Sequence, residues 1–150
     1  GERFVGRHQR GKPVRVGGMA KGAGMIHPNL ATLLAFITTD AAVDASVLQQ
    51  ALVQAVAKSF HCITIDGDCS TNDMVLVMAN GRAGNKPLKN LTGDGVKLVQ
   101  ALTTVCQELA RRVVLDGEGA TKFIEVKVKG AATFEAAREC AMADTYHAFP

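Results

Sequence analysis

One continuous apolar run, LLAFITT at residues 33–39, sets the terms for the rest of the chain. Its length and its Phe, Ile and Thr content make it a strand, and the absence of polar alternation predicts burial on both faces. Such a strand needs neighbours for its backbone and cover for its faces. From Asp44, a candidate N-cap, Val47, Leu48, Ala51, Leu52, Ala55 and Val56 recur at helical spacing to about Phe60. Val96, Val99, Leu102, Val105, Cys106, Leu109, Val113 and Val114 predict a second long helix that closes near Leu115. Further strands are expected at CITI (62–65), MVLVMA (74–79) and KFIEVKVKG (122–130). In the last, Ile124, Val126 and Val128 alternate with Glu125, Lys127 and Lys129, so its charged face belongs in solvent. VRVGGMA (14–20) reads as a short strand broken by Gly17-Gly18, and GRAGNKPLKNLTGDG (81–95) as a loop. Thr133 caps a third helix, with Glu135 well placed for its dipole. The expected fold class is α/β, more narrowly mixed α+β: a layered sheet with packed helices in one globular unit.

Composition narrows the function. At 150 residues, 47% hydrophobic and 21% charged, the chain can bury a real core and is neither disordered nor fibrous. With 5% aromatic residues and no Trp, it lacks a stacking platform for nucleic acid. The densest basic patch, Arg7 to Arg15, has no aromatic in it and reads as a solvated lead-in segment rather than a nucleic-acid stripe. Cys62, Cys69, Cys106 and Cys140 are scattered without a C-x-x-C, and no signal peptide is visible, which points to reduced thiols and a cytoplasmic location. No apolar run reaches the length of a membrane span. The chain starts at Gly1 without Met and stops at Pro150 after a helical pattern, so it reads as a fragment.

Several constellations fail on inspection. DGDCSTND opens like a calcium loop, but Thr71 stands where glycine is needed and Val77 where the bidentate acid belongs. His61 beside Cys62 has no second ligand pair at zinc spacing, so no metal is expected. GAGMIH and GEGATK lack the third glycine of a dinucleotide fingerprint, and there is neither a P-loop nor a G-x-S-x-G elbow. Ser70, Thr71, Asn72 and Asp73 fit either support of a site or a polar turn between strands, and no chemistry is assigned to them.

The stretch before the apolar run is different. KGAGMIHPNLAT places glycines and a proline directly ahead of Thr32. A threonine hydroxyl needs a base to act as a nucleophile, and an N-terminal threonine carries one in its own α-amine. An internal threonine becomes N-terminal only if the preceding peptide bond breaks, and flexible residues upstream would let Thr32 Oγ reach the Ala31 carbonyl. From the residues alone, the better reading of Thr32 is an ordinary strand residue after a glycine-rich turn.

Three blocks, KGAGMIHPNLATLLAFITTDA, ITIDGDCSTNDMVLVMANG and VVLDGEGATKFIEVKVKGA, together resemble the ornithine acetyltransferases of arginine biosynthesis, also called glutamate N-acetyltransferases. The resemblance implies a precursor that cleaves itself between Ala31 and Thr32. Residues 1–31 would then end an α chain, and residues 32–150 would begin a β chain of an N-terminal-threonine-nucleophile architecture. It further implies acetyl transfer from N-acetylornithine to glutamate through an acetyl-threonine on Thr32. No cofactor is implied, although acetyl-CoA serves some members as substrate. The partners implied are these small molecules and the sister chain of the same precursor, in a homo-oligomer of α/β units, with no nucleic acid and no membrane.

The resemblance also assigns Lys21, in the K-G-x-G-M motif, to substrate binding, where a cation suits an α-carboxylate. Glu118, in D-G-E-G-A-T-K, is assigned to the amino end of the substrate. Without it, Lys21 reads as a loop lysine and Glu118 as a turn acid. Leu30 and Leu33 replace methionines usual in the family, a mild apolar exchange, and Met74 replaces a common hydroxyl residue. The family's oxyanion-hole Thr-Gly pair and its C-terminal substrate contacts fall outside these residues, so this segment alone is expected to be inactive. A related N-terminal-nucleophile peptidase and a non-catalytic scaffold domain are the competing readings.

Overall fold

A computed structural model describes residues 2–6, 13–22, 33–65, 72–117, 119 and 121–147. Four strands form one sheet in the order of the chain: β1 (Glu2–Gly6), β2 (Val14–Lys21), β3 (Leu34–Thr39) and β4 (Met74–Ala79). The first two pairings are antiparallel and β3 pairs with β4 in parallel. A parallel neighbour requires a crossover, and α1 (Ala45–Ala57) lies on it. Helix α2 (Asp94–Leu115) follows a long loop, and α3 (Phe134–His147) ends the described chain.

Burial on the strands follows their period of two. Val14 and Val16 of β2 and Ala35, Ile37 and Thr39 of β3 turn toward the helices and are buried. Leu48, Leu52 and Val56 of α1 meet Leu98, Leu102, Val105 and Leu109 of α2 in one core with them, closed by Phe60. The mixed sheet under a single layer of helices agrees with the expected class.

The apolar run at 33–39 departs from expectation on its second face. Alternate positions point away from the helices, and registers Met19↔Phe36 and Phe36↔Leu76 line them up across three strands. On this side Met19 is 64% exposed, Met74 41%, Leu76 40% and Met78 47%. Among the described residues the helices cover one side only.

Other differences are local. Gly17-Gly18 does not break β2, which runs unbroken to Lys21. Gly18 faces α2, where a Cβ would lie 3.0 Å from Leu109 Cδ1 and 3.1 Å from the Phe36 carbonyl oxygen, so glycine is what lets α2 sit close. β1 was not foreseen, and Arg15 is part of β2 rather than of a lead-in segment; the other charges of that patch lie outside the described residues. Helix α1 stops at Ala57, and Phe60–Cys62 forms a 3-10 turn. Ile63 to Ile65 and residues 121–129 are not strands. Alternation specifies which face of a strand is apolar but not which strand it pairs with, and neither segment finds a ladder among the described residues. Arg111 of α2 stacks over the Phe123 ring at 5.3 Å, tying the extended segment to the helix.

The helices follow their patterns with small shifts of phase. Asp44 occupies the N-cap of α1 without a side-chain capping bond. On α2 the buried stripe runs through Leu98, Leu102, Val105, Cys106, Leu109 and Val113, while Val96 is 44% exposed. Thr133 does cap α3: its Oγ1 accepts from Ala136 N–H at 3.1 Å.

Candidate active site

Three strand ends meet at one margin of the sheet. Lys21, the last residue of β2, pairs with Leu34, the first of β3, which pairs in turn with Met74, the first of β4. With adjacent strands about 5 Å apart, Lys21 and the start of β4 flank the segment that emerges from position 32. Lys21 is exposed. Gly22, next to it, is buried.

Leu33 is held on all sides. It is 1% exposed, and its carbonyl accepts from Met74 N–H at 2.8 Å. Its own N–H donates to Asp73 Oδ1 at 2.5 Å, across 40 residues of sequence. The other carboxylate oxygen, Asp73 Oδ2, is buried and has no hydrogen-bond partner among the described residues. A carboxylate at this position thus extends the β3–β4 ladder by one side-chain bond beyond its last main-chain pair.

Thr32, Ala31 and Glu118 lie outside the described residues. The turn that carries Glu118 is defined on both sides of it. Gly117 N–H donates to the Val114 carbonyl at 3.2 Å as α2 ends, and a Cβ on Gly117 would lie 3.2 Å from Ile65 Cδ1. Gly119 has φ +72, a left-handed conformation that favours glycine. Asp73, which the sequence offered as support of a site or as part of a turn without assigned chemistry, is the residue that bonds Leu33 at this margin. Its only sequence signal was a polar cluster directly ahead of a strand.

A cleft of about 590 Å³ lies elsewhere, between Ile63, Ile65, Phe123 and Met142 among others, and none of Lys21, Leu33 and Asp73 lines it. On its wall, burial pushes the Cys62 thiol up, against the pull of Arg138. Next to it in sequence, burial followed by Arg138 holds His61 below the usual histidine range. Among the described residues no group of three His, Cys, Asp or Glu side chains is placed to hold a metal ion. No helix among them is long and apolar enough to cross a membrane.

The profile of the ArgJ family matches residues 3–145. The chain belongs to the ArgJ family. It is 56% identical over 133 residues to the arginine biosynthesis bifunctional protein ArgJ of Symbiobacterium thermophilum, covering 89% of this chain and 33% of that protein. The ArgJ of Geobacillus kaustophilus is likewise 56% identical, over 87% of this chain and 32% of its own. The chain therefore spans about a third of the length of the curated relatives it matches. Its fold is similar to the crystal structure of Bacillus halodurans ArgJ, with TM-score 0.67 and 48% identity over 71% of this chain and 50% of the solved one. ArgJ membership agrees with the resemblance carried by the three sequence blocks.

Proposed function

We propose that the protein is a self-processing acyltransferase of arginine biosynthesis, moving acetyl from N-acetylornithine to glutamate. The observation that carries this reading is the register setting Lys21 opposite Leu34, two residues past Thr32, in a chain of the ArgJ family. The names of its relatives, arginine biosynthesis bifunctional proteins, support it.

In this reading Thr32 Oγ first attacks the Ala31 carbonyl carbon. The peptide bond gives way to an ester, which water hydrolyses to leave a carboxylate on Ala31 and a free amine on Thr32. That amine then takes the hydroxyl proton as Oγ attacks the acetyl carbonyl of N-acetylornithine. The ornithine nitrogen leaves with a proton, and the acetyl group stays on Thr32 as an ester. Glutamate's amine attacks that ester, N-acetylglutamate departs and the hydroxyl is restored. Lys21 binds the substrate carboxylate and Glu118 the amino end. No cofactor takes part, and acetyl-CoA serves as an alternative donor through its thioester. The α and β chains, residues up to 31 and from 32 onward, stay together as one unit in a homo-oligomer in the cytoplasm.

The intact mass of the full-length protein, beside a Thr32→Ala variant, tests this. Two chains from the native protein, one beginning at Thr32, and a single uncut, inactive chain from the variant are expected. A variant that is cut and transfers acetyl at the native rate would return Thr32 to the status of a strand residue and favour a scaffold or another nucleophile.

A further inference from the structure

Leu33 turns both its main-chain groups toward β4: its carbonyl accepts from Met74 N–H and its N–H donates to Asp73 Oδ1. Leu33 nitrogen is bonded to the Thr32 carbonyl carbon, and a peptide group is planar. Fixing the direction of Leu33 N–H therefore fixes the plane that contains Thr32 Cα, two bonds from the hydroxyl oxygen. The second oxygen poses its own requirement. A carboxylate accepts on both oxygens, and a buried acceptor without a donor is costly. Asp73 Oδ2 is such an acceptor among the described residues. The residue covalently next to its partner Leu33 is a threonine, with an N–H and a hydroxyl before cleavage and an ammonium afterwards.

We propose that Asp73 is a positioning residue for the Thr32 nucleophile. It clamps Leu33 through one carboxylate oxygen and offers the other to a donor at the head of the downstream chain. This rests on the reading of Thr32 given above. Asp73 takes no part in bond making. Its contribution is to hold the attacking oxygen in line, where a misplacement near 1 Å costs about 10²-fold in rate.

The test uses the full-length protein with Asp73→Ala, Asp73→Asn and, in parallel, Thr32→Ala. Cleavage at 31–32 is followed by intact mass, and kcat and KM for N-acetylornithine are measured per cut chain. Asp73→Ala is expected to slow both cleavage and kcat about 10²-fold, with KM within about twofold and Tm little changed. Asn keeps one oxygen for Leu33 N–H and is expected to recover about tenfold of that loss. Native rates in both variants overturn the proposal. So does an Ala loss that comes with a lowered Tm and a raised KM, or an Asn variant no better than Ala. If Asp73→Ala does not fold, Asp73→Asn decides alone: a kcat reduced about tenfold at native KM upholds the proposal and a native kcat overturns it. A Thr32→Ala protein that still cuts and transfers sinks the underlying reading, and the proposal with it. An inert Thr32→Ala beside fully active Asp73 variants sinks only the proposal.

Discussion

Cys106 sits on the buried stripe of α2 at 0% exposure, and burial pushes its thiol from 9.0 up to about 11, with a bond from Ser59 pulling slightly the other way. Between those values the unfolded chain releases a proton that the native state keeps. Stability from this group is therefore complete below pH 9 and falls as pH rises toward 11. Urea midpoints across that range are expected to fall more steeply for the native protein than for Cys106→Ala, which is less stable throughout but lacks the titrating thiol. Parallel slopes would show that the thiol ionises without leaving its site. At this scale legibility was uneven. Cys106 was readable as core from its helical spacing alone. Lys21 and Glu118 gained roles only through the family resemblance, since an isolated Lys or Glu in a loop carries no chemical signature. Asp73 was readable only as one of four polar residues that fit either support of a site or a turn, because what singles it out is a bond to a residue 40 positions away.

Among the elements, β2 and α2 pack closely at Gly18, where a Cβ would lie 3.0 Å from Leu109 Cδ1. The fixed Phe36 carbonyl at 3.1 Å leaves a new side chain there no way to yield except by moving α2. Gly18→Val is expected to destabilise the protein by about 1–3 kcal/mol, read as a lowered urea midpoint at unchanged slope. A native midpoint would mean that the helix layer has slack. The same pair shows how far sequence could go. The helices were legible to within a few residues because each carries its own apolar stripe, and the apolar strand was legible from its composition. Glycine in β2 looked like a break because the reason for it, the nearness of Leu109, is a tertiary contact. The segment at 122–130 had the clearest alternation and yet is no strand, because pairing is decided by a neighbour that alternation does not name.

For the whole molecule, the sheet order places residues from both sides of position 32 in one ladder. β2 lies between β1 and β3, and six residues of β2, Val16 to Lys21, pair with Thr39 to Leu34 of β3. In the uncut chain the connection from 22 to 33 is a short tether, and tethers of that kind hold two segments at effective concentrations of order millimolar. The cleavage proposed between Ala31 and Thr32 would remove the tether and leave hydrogen bonds and the shared core to hold β2 on β3. Reassembly after unfolding then becomes a meeting of two molecules. Recovery of activity from urea is expected to decline on dilution into the sub-micromolar range for the cut protein. Recovery of the fold by the uncut Thr32→Ala chain is expected to be independent of concentration. Equal behaviour of the two would mean that one of the cut chains keeps its structure unaided. If the nucleophile is freed in this way, the proposed cut carries a lasting consequence: it erases the covalent memory of how the sheet was put together, and each later refolding needs two molecules to meet.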